Sequence, residues 1–253
     1  MKVPMKGIIY LVCTVVLMPA GFAQSQPLRL AVAANAQFVI KAIQTDFKKK
    51  TGIETEAIIG SSGNLTTQIK NGAPYDIFFS ADMRFPEMLS REGFGVTGAS
   101  EYASGSLIVC STINIDVKKW RLLLDAASTK KVAIANPILA PYGKAAEETL
   151  RHYKLWDKIS SRLVFGESIS QVNTYITTGA AMLGFTTEAL IHEYPDKKNL
   201  RWAKVDETVY NKIRQGMIVL NHAKKGNHNS AMKFYEYILS PAAKEVFREF
   251  GYK

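Results

Sequence analysis

Cysteine is nearly absent from this chain: among 253 residues there are two, Cys13 and Cys110. Histidine is scarce too, with four. No His or Cys pair has the spacing that places two ligands on one metal, so a zinc-type site is not expected. Cys110 closes the apolar run LIVC and reads as a small core residue rather than a nucleophile. The phosphate-cradling pattern GxxxxGK[ST] does not occur, and neither does the GxSxG nucleophile elbow. Beyond the first residues no run is long and apolar enough to cross a bilayer.

The chain opens MKVPMKGIIYLVCTVVLMPAGFAQ. Lys2 and Lys6 precede an apolar run from Ile8 to Met18, and Gly21-Phe22-Ala23 supplies small residues for cleavage. Eleven apolar residues are too few for a permanent span, so residues 1–23 are expected to be a secretory signal peptide, cut after Ala23. The mature chain is then an exported protein with Cys110 as its single thiol, without an intrachain disulfide. Removing Lys2 and Lys6 from the 32 basic residues leaves 30 against 22 acidic ones, a net charge of +8 rather than +10. The lysines fall in short scattered runs, such as Lys48 to Lys50, Lys130-Lys131 and Lys224-Lys225. None is interleaved with aromatics as a nucleic-acid stacking platform requires, so they read as solvated faces that attract anions at long range.

Along the rest of the chain, short β-branched runs alternate with helical spacing. LRLAVAA (28–34), IETEAII (53–59), YDIFFSA (75–81), LIVC (107–110), KVAIAN (131–136), RLVFGES (162–168) and AMLGFTT (181–187) read as strands. Phe38, Val39, Ala42, Ile43 and Phe47 mark a helix that Gly52 ends; further helices are expected from Leu65, Lys144 and Ser170. Such alternation predicts an α/β protein with mostly parallel sheets.

The polar residues fall where strands hand over to helices: Asn35, Ser61-Ser62 between two glycines, Pro141-Tyr142-Gly143, and Glu167-Ser168-Ile169-Ser170. Each alone fits a tight turn with a helix cap. As a set they lie at the carboxyl edge of a parallel sheet, where open α/β folds bind ligands, and all four present backbone N–H groups. They lack Lys and Arg until Lys144. Neutral, fixed donors of this kind suit a compact, desolvated oxyanion.

The stretches AVAANAQF, GSSGNLTTQIKNGAPYDIFFSAD, YASGSLIV, ANPILAPYGKAAEETL, GESISQVNTYITTGAAMLGFTT and FYEYILSPAAKEVFREFGY run in order over nearly the whole mature chain. In them the chain resembles the periplasmic molybdate-binding proteins, the substrate-capturing components of bacterial ABC importers. The resemblance implies a two-lobed periplasmic-binding-protein fold of type II, each lobe a mostly parallel sheet flanked by helices, closing on a tetrahedral oxyanion. Lobe I would hold residues 24–105 and 218–253 and lobe II residues 106–217, with crossings near Ser104 to Ser106 and Gln215 to Met217. By motif, Asn35 and Ser62 would bind through side chain and backbone, and Tyr142 and Ile169 through backbone N–H groups. Ala34, Ser61 and Thr187 are further candidates. Some family members carry serine where this chain has Asn35 and close the site with tyrosine where Thr187 aligns; members with asparagine at the first position lack that tyrosine. The implied function is binding of molybdate and tungstate without chemistry, with no catalytic residue, no cofactor, no direct cation ligand and no nucleic acid. The implied partner is a membrane permease, the implied state a monomer in the periplasm.

Two readings remain beside it. One is a receptor for sulfate, phosphate or an organic acid on the same scaffold. The other is an exported hydrolase, which would need a histidine beside Ser62; His152, His192, His222 and His228 all lie in the later half of the chain.

Overall fold

The computed structural model describes residues 26–253, so the leader assigned to residues 1–23 lies outside the described residues. The chain builds its first lobe with β1 (Leu28–Ala33), α1 (Gln37–Thr51), β2 (Thr55–Gly60), α2 (Ser62–Lys70), β3 (Ile77–Phe79), α3 (Arg84–Arg91) and β4 (Ser100–Gly105). It then crosses into a second lobe of β5 (Leu107–Ser111), α4 (Trp120–Asp125), β6 (Val132–Ala135), α5 (Pro141–His152), α6 (Trp156–Ile159), β7 (Leu163–Gly166), α7 (Ile169–Thr177), β8 (Leu183–Thr187), α8 (Ala189–Glu193) and β9 (Arg201–Lys204). It returns with β10 (Ile213–Val219), α9 (His228–Leu239) and α10 (Pro241–Glu249).

Each lobe has a five-stranded sheet, in the orders β2-β1-β3-β10-β4 and β7-β6-β8-β5-β9. The sheets are mixed rather than wholly parallel. β10 is antiparallel to both β3 and β4, and β5 to both β8 and β9. The reversed strand in each sheet is the one that arrives from the other lobe. The first crossing is a single residue, Ser106, between β4 and β5. The return differs from the expectation. It occupies residues 205–212, because Ile213 to Met217 already pair with β4. By sheet membership lobe II therefore ends before Ile213, not at 217. The polar Arg214-Gln215-Gly216 imitates a linker but belongs to a strand with an irregular register between Gln215 and Gly216.

In β1 every residue but Arg29 is buried, and Val32 lies between Ile59 and Phe79 in the register. On α1, Val39, Ile40, Ile43 and Phe47 face the core, and Gly52 ends the helix at φ 72°, donating its N–H to the Lys48 carbonyl. Phe47, Phe79 and Phe234 stack edge to face behind that sheet, tying the C-terminal helices to the first lobe. The chain end is held as well: Ser104 and Lys253 exchange backbone hydrogen bonds of 2.8 and 2.9 Å.

Asp76, in the GAPYD motif, has no exposed surface. Its carboxylate accepts from the Arg29 N–H (2.9 Å) and the Asn227 amide (2.9 Å), and lies 3.0 Å from His222 Nδ1. It therefore joins β1, the turn after β10 and the start of α9. Asp76→Ala is expected to leave these groups unpaired and to cost about 3 kcal/mol. Calorimetry should then record a fall in midpoint of roughly 6–12 °C for a chain of this size.

Candidate functional site

The carboxyl ends of β1, β2, β3, β6 and β7 meet between the lobes. There Ala33, Ala34 and Asn35, Gly60 to Ser62, Ala81, Ala140 to Tyr142, and Ile169 line one small recess. Its cavity volume is about 10 Å³, room for roughly one water. The lobes touch around it. Gly63 donates its N–H to the Leu139 carbonyl at 2.9 Å, and Ser170 donates its hydroxyl to Gln37 Oε1 at 2.9 Å.

Three helices begin at the recess. Ser62 is the first residue of α2, Tyr142 the second of α5 and Ile169 the first of α7. First-turn N–H groups have no acceptor within their own helix, and the helix dipole makes that end attractive to negative charge. Pro141 opens α5 where its missing N–H costs nothing. Gly143 is demanded by packing: a Cβ there would lie 2.2 Å from the Ala135 carbonyl oxygen, so the helix could not sit so close to β6.

The candidate residues differ in what their side chains do. Ser62 Oγ accepts the Ala81 N–H at 3.0 Å, which leaves its hydroxyl proton to donate. Ser61 Oγ accepts the Asn64 N–H at 3.3 Å and is the cap of α2, though Ser61 still lines the recess. Asn35 was expected to cap the helix after β1, but it sits in a short 3₁₀ turn and α1 starts from Ala36 without a side-chain cap. Its amide instead donates to Gln215 Oε1 at 2.8 Å, leaving its second N–H. Thr187 is not on the recess. Its hydroxyl lies behind Tyr142 and donates to the phenol oxygen at 3.3 Å. Ser168 caps α7 through the Gln171 N–H.

Around these residues is a layer that reading the sequence missed. Gln215, Tyr102 and Tyr252 are buried against Asn35 or one another, joined across 113 to 217 residues of chain. No local pattern flags such partners. Burial holds the Tyr102 and Tyr142 phenols well above their ordinary pKa, and nearby Tyr252 adds to the effect, so both remain neutral.

Charge is kept off the recess lining. Lys144 is exposed and paired with Glu147 at 3.1 Å. Burial raises the Asp82 carboxyl, opposed by the Phe85 N–H and by Arg84, which lies 3.5 Å away. Among the described residues no group of three or more His, Cys, Asp or Glu side chains forms a metal-ion cluster. Burial pushes the Cys110 thiol up to about 12, which removes the thiolate that nucleophilic chemistry needs. No histidine lines the recess with Ser62, so the hydrolase arrangement is not assembled there.

The family described as bacterial extracellular solute-binding protein matches residues 28–253. The molybdate-binding protein ModA of Azotobacter vinelandii is 36% identical over 234 residues, covering 91% of both chains. That of Rhodobacter capsulatus is 35% identical, covering 88% of this chain and 86% of the relative. The solved structure of the A. vinelandii periplasmic molybdate-binding protein superposes with a TM-score of 0.84 at 32% identity, covering 89% of this chain and 98% of that one. A sulfate-binding protein, SubI of Mycobacterium tuberculosis, shares the fold at 13% identity and a TM-score of 0.71. The fold, the interlobe recess and these similarities together place the chain in the bacterial extracellular solute-binding family, among the molybdate-binding proteins.

Proposed function

We propose that this protein captures molybdate, and tungstate with it, outside the cytoplasm and delivers the ion to the permease of an ABC importer. The observation that carries the reading is the convergence of three helix starts, from both lobes, with the Ser62 hydroxyl and the Asn35 amide on one small uncharged recess. In this reading Ser62, Tyr142 and Ile169 donate backbone N–H groups, and Ser62 and Asn35 add side-chain donors. Ala34 and Ser61 contribute contacts, and Thr187 supports Tyr142 from behind.

The donor set also favours one kind of ion. N–H and amide donors cannot accept a proton, so a hydrogen phosphate would bury an O–H without a partner. A fully deprotonated tetrahedral oxyanion meets donors on every side. Binding without chemistry follows, since nothing on the recess lining acts as nucleophile, base or metal ligand. The ion bridges both lobes and shifts the population toward the closed form, the shape that a permease would read. The protein works as an exported monomer that needs no cofactor.

Thermal unfolding of ligand-stripped protein lacking residues 1–23 tests this directly. An anion at ~1,000 times its dissociation constant stabilises the fold by about 4 kcal/mol, roughly 8–16 °C in midpoint. Molybdate and tungstate should give such shifts, and phosphate and citrate should not; a shift with sulfate or phosphate and none with molybdate would transfer the site to that ion. Ser62→Ala should weaken molybdate binding by about 1.5–3 kcal/mol, roughly ten- to 150-fold, by titration calorimetry. Unchanged affinity in a folded variant would remove Ser62 from the site.

A further inference from the structure

β10 reads IRQGMIV, and its pairing with β4 slips at Gln215, whose side chain is wholly buried. A buried primary amide must place two N–H groups and one carbonyl. Gln215 Oε1 accepts from Asn35 Nδ2 and from the Tyr102 hydroxyl, both at 2.8 Å. Its Nε2 donates to the Tyr142 hydroxyl at 3.3 Å, which also receives the Thr187 hydroxyl at 3.3 Å. Tyr252 donates to the Asn35 carbonyl at 2.6 Å and fixes that turn from the other side. Gln215 therefore touches one recess residue from each lobe, Asn35 from the first and Tyr142 from the second. Gly105 leaves room for the contact, because a Cβ there would fall 1.9 Å from the Tyr142 phenol oxygen and 2.7 Å from Gln215 Nε2.

We propose that Gln215 is the positioning residue of the recess: its carbonyl sets which way the Asn35 amide faces, and its N–H holds Tyr142 when the lobes close. The inference rests on the oxyanion reading above. With Oε1 taking one Asn35 N–H, the Asn35 amide is fixed with nitrogen on that side, and its second N–H remains for the anion. A flipped amide would turn its carbonyl oxygen to the ion and repel it. Gln215 Nε2 completes its bond only across the closed lobes; open, it and the phenol turn to water. A single neutral bond of 3.3 Å is too weak to hold the lobes shut without a ligand, so the contact biases closure rather than locking it.

The test is a double-mutant cycle of Asn35→Ala and Gln215→Leu, read both as molybdate affinity and as thermal unfolding without ligand. Each single variant should lose about tenfold or more in affinity. The double variant should lose little beyond Gln215→Leu, because the Asn35 amide is already misdirected. Tyr142→Phe keeps the backbone N–H at the recess and removes the Gln215 bond between the lobes, leaving those of Gly63 and Ser170 in place. It should speed molybdate dissociation several-fold in stopped flow while association stays within twofold. Asp76→Ala, far from the recess, should lower the midpoint without this pattern of rates. Additive affinity losses in the cycle, or unchanged dissociation in Tyr142→Phe, would overturn the proposal while leaving molybdate binding intact. If the wild type takes up no anion at all, the oxyanion reading fails. The ligand-free unfolding cycle then decides alone: coupling between the two positions supports Gln215 holding Asn35, and additivity refutes it.

Discussion

A backbone N–H in the first turn of a helix has no acceptor inside that helix, and burying it without one is costly. This protein brings three such turns together, at Ser62, Tyr142 and Ile169, on a recess lined without a basic side chain. In the proposed reading an oxyanion answers all of them together. Much of the architecture can be understood as holding those donors in place: parallel strands put the turns on one edge, and glycine at 143 lets α5 start against β6.

The two-lobed layout gives that constraint a moving part. The lobes are joined by one residue at 106 and by residues 205–212, while their sheets stay separate. Residues of both lobes line one recess, so in the proposed reading a ligand bound there couples its binding energy to closure. Behind the recess, hydroxyls and amides satisfy one another: Tyr102, Gln215 and Asn35 in the first lobe, Tyr142 and Thr187 in the second. Such a network carries no charge into the cleft, yet it fixes rotamers on both sides.

The turns were legible in the sequence because strand-to-helix junctions have a local chemistry: glycine, serine and asparagine where the chain must bend and cap. The structure gathers Asn35, Ser61, Ser62, Tyr142 and Ile169 around one space. What the sequence hid was long-range or disguised. Tyr252 reaches Asn35 across 217 residues, and nothing local marks it as a partner. The strand of Ile213 to Val219 contains Arg, Gln and Gly and has no clear apolar pattern at its start, and the crossing that the family resemblance implied at Gln215 to Met217 falls inside it. Ser100 to Gly105 pairs as an edge strand despite weak apolar alternation, because β10 supplies its partner. Asn35 looked like a cap by residue type, and tertiary contact with Gln215 took its side chain elsewhere.

In the proposed function an oxyanion is held by neutral donors from both lobes. The most direct measurement is a crystal structure of the protein grown with molybdate, the ion located by anomalous scattering at the molybdenum edge. The ion is expected in the recess, its oxygens within hydrogen-bond distance of the Ser62 hydroxyl and N–H, the Asn35 amide and the N–H groups of Tyr142 and Ile169. An ion elsewhere, or one held by Arg84 or Lys144 swung into the cleft, would contradict it.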